Sequence, residues 1–296
     1  QLEELSKRSV GMSHASYNFN NGQYALAIDA ATPVAAYRPD LLDNIPSNID
    51  DVILLAEKNK VLWPLNPVFC ITYFNSIAAN WGMPINTPEK HFIDKKIGIE
   101  ILILMKKLTK LLPQECLKMD PIQTLDFMSE NNDKIYSPML YGYVNYSREG
   151  FRKNRIKFDD MPSFDTSSKI NCKGSQIGGT GLAISAFSKN IDLALDYAFW
   201  VASKDCQSSL FYFSGGQPGH LDAWKNNQIN EDSLNFFLST LKTMEKGWVR
   251  PRYNGYMYFQ DVAGSIINDF LNGDDKEEII IDKLINEFEK SFDVNK

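Results

Sequence analysis

The stretch that most constrains this chain is Ile177-Gly178-Gly179-Thr180-Gly181-Leu182-Ala183-Ile184-Ser185. Three glycines lead into Leu182-Ala183-Ile184, a short apolar run of the kind that makes a buried strand. A helix is expected from Asn190, an N-cap residue, with Asp192 in the first turn where the helix dipole favours negative charge. It continues through Leu193, Ala194, Tyr197, Ala198, Val201 and Ala202, and Ser214-Gly215-Gly216-Gln217-Pro218-Gly219-His220 then forces a polar turn. Strand and helix are thus flanked by backbone free of side chains. Two readings fit: close approach of main chain to a ligand, or tight loop packing without one.

The 296 residues suggest two units better than one. Hydrophobic residues at 44% and charged residues at 23% are the proportions of a soluble globular protein. A net charge of −6 gives no basic footprint, so no nucleic-acid partner is expected. Arg152, Lys153, Arg155 and Lys157 cluster, but Asp159 and Asp160 follow at once, which makes a solvated surface segment. The most apolar helical stretch, near Ile97–Leu112, carries Glu100, Lys106, Lys107 and Lys110 and stops at Pro113. It is too short and too charged for a membrane span. Gln1 to Arg8 lack the apolar core of a signal peptide, a segment that export would remove. Cys70, Cys116, Cys172 and Cys206 are widely spaced, and free buried thiols are expected rather than a disulfide framework.

Helices and short strands alternate along the chain. Asn20-Asn21-Gly22 is a hairpin turn, Gln23–Ile28 reads as a strand and Val34–Tyr37 as another. Asn48 caps a helix with Asp51 at its third position and Val52, Leu55 and Ala56 on its inner face. A helix from about Val68 stops at Gly82, and Asp120-Pro121 opens the next. An aromatic strand and loop follow through Ile135, Tyr136 and Tyr141-Gly142-Tyr143-Val144-Asn145-Tyr146. Phe158–Pro162 reads as a strand and its exit, and the polar run Ser163–Gly174 as a crossover between two lobes. Three helices close the chain, at Asp232–Lys246, Tyr258–Leu271 and about Lys276–Phe292.

Catalytic spellings fail on their mechanics. His14, His91 and His220 show no zinc spacing, so neither metal nor cofactor is expected. Gly179-Thr180-Gly181 is followed by Ile184 where a dinucleotide fingerprint needs glycine, and it precedes its strand instead of following one. Gly11-Met12-Ser13-His14-Ala15 has nucleophile-elbow spelling, yet Lys7-Arg8-Ser9-Val10 makes a poor buried strand ahead of it. Asp159 and Asp160 are adjacent, and adjacent residues on a strand face opposite ways. Binding groups are richer. Tyr141, Tyr143, Tyr146, Asn145 and Trp224, with Arg250-Pro251-Arg252-Tyr253, combine ring faces, amides and guanidiniums that suit a polyhydroxylated ligand. The tyrosines equally suit core or rim positions, and Arg252 a structural ion pair.

Ordered along nearly the whole chain, these motifs resemble extracellular solute-binding proteins of bacterial ABC importers, in the sugar-binding family that includes maltose-binding proteins. The residues that carry the resemblance begin with Ser9–Tyr17, Ala25–Ala31 and Ala36–Leu42. Tyr141–Tyr146, Gly178–Ser185 with Ser188–Asn190, Ala194, Tyr197, Ala198 and Ser214–Gly219 complete it. The resemblance implies an α/β, two-lobe periplasmic-binding-protein-like fold with hinge crossovers: residues 1–29 as part of the first lobe, 30–173 as the second, and 174–296 as first lobe with C-terminal helices. It also implies a periplasmic or extracellular monomer without enzymatic activity. Such a protein holds a sugar or polyol in the interlobe cleft and delivers it to ABC permease membrane subunits. Ligand contacts are then expected from His14, Tyr17 and Asp29, from Tyr141, Tyr143 and Asn145, from Gly178, Gly179 and Thr180, and from Gln217, Trp224 and Arg252. Family members begin with βα units that this sequence lacks, so an incomplete first lobe is expected, with exposed apolar surface and unpaired strand edges. Two alternatives stand beside this reading. One is a glycoside hydrolase using Asp29 with Asp159 or Asp160; the other is a non-binding fragment.

Overall fold

The computed structural model describes residues 1–85, 90–165 and 173–293. From the N-terminus the chain forms α1 (Leu2–Arg8), the hairpin β1 (Asn18–Phe19) and β2 (Gly22–Gln23), β3 (Leu26–Ala27) and β4 (Pro33–Tyr37). Next come α2 (Ile49–Glu57), α3 (Pro67–Asn80), α4 (Lys95–Thr109), α5 (Pro121–Glu130), β5 (Tyr136–Tyr141) and β6 (Lys157–Asp159). The remainder supplies β7 (Gly181–Leu182), α6 (Ile191–Ala202), α7 (Lys204–Cys206), α8 (Leu221–Trp224) and α9 (Asn227–Asp232), then α10 (Phe236–Glu245), α11 (Tyr256–Asn272) and α12 (Glu277–Ser291).

The larger body is built on the antiparallel sheet β5-β4-β6. Strand period two divides β4 between two cores. Val34 and Ala36 face Leu125, Trp224 and Phe237, whereas Ala35 and Tyr37 face Phe74, Ile101 and Phe259. Helices α5, α8, α9 and α10 therefore cover one face of the sheet, and α2, α3, α4, α11 and α12 the other. The helices from α8 onward thus pack on the sheet of residues 33–159, whereas β3, β7 and α6 pack together apart from it. Burial decides that division, and burial follows contacts across the fold rather than chain order.

The second body is small. β3 pairs with β7, and Leu26 packs with Ala198 and Ala202 of α6. The strand expected at Leu182–Ile184 is shorter and displaced to Gly181–Leu182, with Leu182 half-buried and Ala183 exposed. It lies in a two-stranded sheet, so its apolar residues have little to pack on.

Local chemistry explains the element ends. Asn20 and Asn21 take φ of +48° and +63°, the left-handed geometry that a two-residue hairpin loop requires. Asn48 accepts from the Asp50 and Asp51 backbone N–H groups and starts α2. The expected helix from Asp232 instead breaks between α9 and α10, where Leu234 and Asn235 take φ of +52° and +62°. Most of the Ser163–Gly174 crossover, with Cys172, lies outside the described residues; Cys70, Cys116 and Cys206 are free and buried.

Asp120 and Gln123 form a reciprocal capping box at the start of α5: the Asp120 carboxylate accepts from the Gln123 N–H at 2.8 Å, and Gln123 Oε1 accepts from the Asp120 N–H at 3.0 Å. Asp120→Ala should cost about 1 kcal/mol, the usual worth of such a cap, read as a lower urea midpoint with unchanged slope. An unshifted midpoint would mean that the box contributes nothing.

Candidate functional site

Three stretches of chain run side by side where the two bodies meet: residues 28–31, 176–180 and 217–219. Gly178 N–H donates to the Ala31 carbonyl at 2.8 Å, and Thr180 N–H to the Asp29 carbonyl at 3.2 Å. Ile28 and Asp29 N–H groups both donate to the Thr180 carbonyl, at 3.0 and 3.1 Å. On the other side Ala30 N–H donates to the Gln217 carbonyl at 3.3 Å, and Asp29 bridges to Pro218. The glycines serve this close approach. Gly179 takes φ of +118°, and a Cβ there would overlap the Asp29 carbonyl oxygen. A Cβ on Gly178 would lie 2.7 Å from the Tyr141 ring.

A cavity of about 510 Å³ opens at this junction. The crossing stretches contribute Asp29, Gly178, Gly179, Thr180 and Gln217 to its lining. Tyr141, Tyr143 and Asn145 form a wall from the end of β5 and the loop beyond it. Phe69 of α3 and Arg250 also line it. Sequence reading missed both. Phe69 is hidden in a helix whose apolar pattern reads as core. Arg250 was visible in Arg250-Pro251-Arg252, but spacing alone does not say which guanidinium turns inward.

Hydrogen bonding separates the lining residues by role. Gln217 is buried and committed to the protein. Its Oε1 accepts from the Val144 N–H at 2.9 Å, and its Nε2 donates to the Ala30 and Gly142 carbonyls at 3.0 and 3.2 Å. Tyr141 OH accepts from Gln176 Nε2 at 3.2 Å. Both tie the wall to the crossing strands. Tyr143 lines the cavity and is 40% exposed. Asn145 uses Nδ2 on the Gly215 carbonyl at 3.2 Å, and Arg250 spends one donor on Gln260 Oε1 at 3.0 Å. Their remaining capacity is available to a guest.

Asp29 is the one carboxylate among the described lining residues. Burial pushes its pKa up to about 6, opposed by a hydrogen bond from the Gln217 backbone N–H.

Four expected contacts lie outside the lining. Trp224 is 2% exposed, its indole donating to the Pro218 carbonyl at 2.6 Å within the aromatic core around Phe237. Its turn-following position reads like a binding site only until α8 folds it inward. Arg252 donates to the Ser16 carbonyl at 2.8 Å and also binds the Asn18 carbonyl, which pins the N-terminal loop. His14 is buried, and desolvation lowers its pKa. Tyr17 stands beside the cavity, its hydroxyl donating to the Gly179 carbonyl at 3.3 Å. Tyr146 donates to Asp126 at 2.7 Å, and Ser13, the serine of the elbow-like spelling, is buried and donates to the Val10 carbonyl at 2.7 Å.

A second depression of about 620 Å³ lies against α1, between Leu5, Phe199 and His220. Its charges engage one another, with Arg8 3.4 Å from Asp222 and Lys204 4.0 Å from it, and it shares no lining residue with the first cavity. No group of three or more metal-ligating side chains occurs among the described residues, and no helix among them is long and apolar enough to cross a membrane.

No family model and no curated relative matches this chain in sequence. Solved structures do match. A maltose-bound MalE3 from T. maritima superposes with a TM-score of 0.80 at 17% identity, over 97% of this chain and 77% of that one. The chain has the two-lobe fold of periplasmic binding proteins. The maltose-binding periplasmic protein MalE of Listeria monocytogenes, in complex with maltose, gives 0.80 at 16% identity over 99% and 78% of the two chains. An ABC transporter solute-binding protein from Agrobacterium radiobacter K84, in complex with ribitol, gives 0.79 at 18% over 97% and 77%. The crossing stretches join the two bodies, and the cavity lies against them.

Proposed function

We propose that this chain is the substrate-binding component of an ABC importer, holding a sugar or related polyol in the cavity at the hinge. The observation that carries the reading is the pairing, in one 510 Å³ space, of aromatic rings at Phe69 and Tyr143 with spare hydrogen-bonding capacity at Asp29, Asn145 and Arg250. Rings cover the C–H faces of a sugar while carboxylate, amide and guanidinium take its hydroxyls. The ligands in the comparison structures, maltose and ribitol, are of this chemical class. A periplasmic or extracellular monomer that hands its ligand to membrane permease subunits follows from the same reading.

The first lobe is read as incomplete. Each strand of its β3–β7 pair has two residues, and Leu193, Tyr197 and Phe187 are 70%, 57% and 95% exposed. Isolated two-stranded pairs are marginal, and apolar patches of this kind ask for a cover.

The glycoside-hydrolase reading needs two carboxylates flanking one bond. Asp160 Oδ1 instead accepts from the Thr243 N–H at 2.8 Å and its hydroxyl at 2.9 Å, and Asp159 Oδ1 accepts from the Asp160 N–H at 2.8 Å. Neither lines the cavity with Asp29.

Calorimetric titration with maltose, maltotriose and ribitol tests the proposal. At least one should bind at micromolar strength, about 8 kcal/mol in total, and be recovered unchanged. Tyr143→Ala should weaken that binding about tenfold or more by removing one stacking face, about 1.4 kcal/mol, while leaving the melting temperature within a few degrees. Binding unaffected by Tyr143→Ala would remove the wall from the site, and release of cleaved sugar would favour the enzyme.

A further inference from the structure

Asp29 occupies a position unlike any other group in the cavity. It is half-buried on the first hinge strand, and its own N–H and C=O are both bonded to Thr180. The backbone at Asp29 is therefore fixed relative to the crossing strands. No cation pairs with it among the described residues, and the only donor it is given is the Gln217 backbone N–H. A carboxylate has about four acceptor sites, so most of its capacity points to a guest. Resting on the sugar-binding reading above, we propose that Asp29 is a proton-linked ligand acceptor: as a carboxylate it takes the hydroxyl donors of the sugar, and once protonated it releases them.

The charged and titratable groups around it come from three other elements. Tyr17 approaches from the 3₁₀ turn Ala15–Tyr17, Tyr143 from the loop after β5, and Arg250 from the loop after α10. Burial raises the pKa of both tyrosines above their ordinary value and the negative charge of Asp29 adds to it, so neither titrates between pH 5 and 8. Arg250 contributes a guanidinium to the same lining. Asp29 is left as the group in the cavity that changes charge there.

The sign follows from linkage. Burial raises the Asp29 pKa in the empty protein to about 6. Sugar hydroxyls donating to the carboxylate favour its charged form and lower that pKa in the complex. The complex therefore binds fewer protons than the free protein, and ligand affinity is full above about pH 7 and falls as pH drops through 6.

Calorimetric titration of the full chain with maltose and with ribitol at pH 7.5 and pH 5.0 reads this out. Wild type should lose about tenfold in affinity between the two, one pH unit below the pKa of the free carboxylate. Asp29→Asn should bind more weakly than wild type at pH 7.5 and change less than about twofold across the interval. The carboxyl carbon of Asp29, followed by NMR, should titrate near pH 6 in the empty protein and lower in the complex. Equal wild-type affinity at both pH values overturns the inference and leaves the sugar-binding reading intact. A tenfold pH effect that persists in Asp29→Asn overturns it in favour of another group. Failure of both sugars to bind at either pH counts against the underlying reading, and this inference falls with it.

Discussion

Arg38→Ala should cost the protein about 2–4 kcal/mol, mainly from helix-end carbonyls left without a donor, since the Asp40 carboxylate is 53% exposed and regains water. Arg38 is 1% exposed yet fully engaged. Its Nε and Nη2 fork onto the two oxygens of Asp40 at 2.9 and 2.7 Å, and Nη1 donates to the Met128 and Asn131 carbonyls at 3.0 and 2.8 Å. Nη2 also reaches Asn132 Oδ1 at 3.1 Å. One guanidinium thus joins the exit of β4 to the C-terminal end of α5, where helix carbonyls lack partners of their own. Alanine leaves those carbonyls unpaired and opens a void beneath Asp40. The urea midpoint should fall accordingly, and a loss below about 1 kcal/mol would show that the network contributes no more than a surface pair. The pH dependence gives an independent check. Arg38 holds the Asp40 carboxyl below its ordinary range, chiefly through their hydrogen bonds. The wild type gains stability from this pair at neutral pH and loses it as pH falls through the Asp40 value, and Arg38→Ala should lack that acid-side loss.

Gly179→Ala should be the most damaging change at the hinge. At φ of +118° an L-residue is strained whatever the space around it, and here the added methyl also meets the Asp29 carbonyl oxygen. That oxygen accepts from the Thr180 N–H at 3.2 Å, so relief of the overlap must separate two of the three hinge stretches. Strain plus one lost strand contact should cost about 2–4 kcal/mol and weaken sugar binding at least tenfold, because Asp29 and Thr180 move apart. Thermal melts and titrations of the same preparation check both. Stability within about 0.5 kcal/mol of wild type, the range of neutral surface changes, would contradict the hinge geometry described here.

The glycine stretch around Gly178 was legible because glycine reports a steric demand of the backbone, and steric demand survives translation into sequence. The two readings open at the start, ligand approach and tight packing, turn out to coexist: Gly178 and Gly179 let hinge strands cross, and the same residues line the cavity. Caps and turns were legible for the same local reason, as at Asn48, Asp120 and Asn20-Asn21. Side-chain direction was not. Trp224 and Arg250 differ in role because α8 turns one inward and the loop after α10 points the other at the cavity, and each choice is made by distant packing. Tyr143 and Tyr146 stand three residues apart with similar chemistry, yet Asp126 of α5 takes the Tyr146 hydroxyl and nothing among the described residues takes that of Tyr143. The packing of α8 to α12 on the β4 sheet was hidden too, since nothing within those helices names the sheet they cover.

The most direct measurement is a crystal structure of the protein grown with whichever of maltose, maltotriose or ribitol binds it. The account predicts the intact ligand against the Tyr143 ring, within hydrogen-bonding distance of Asp29 and Arg250, with Gly179 and Thr180 forming the floor beneath it. Ligand seated in the depression beside Leu5 and Phe199, or a cavity that stays empty at saturating sugar, would contradict it.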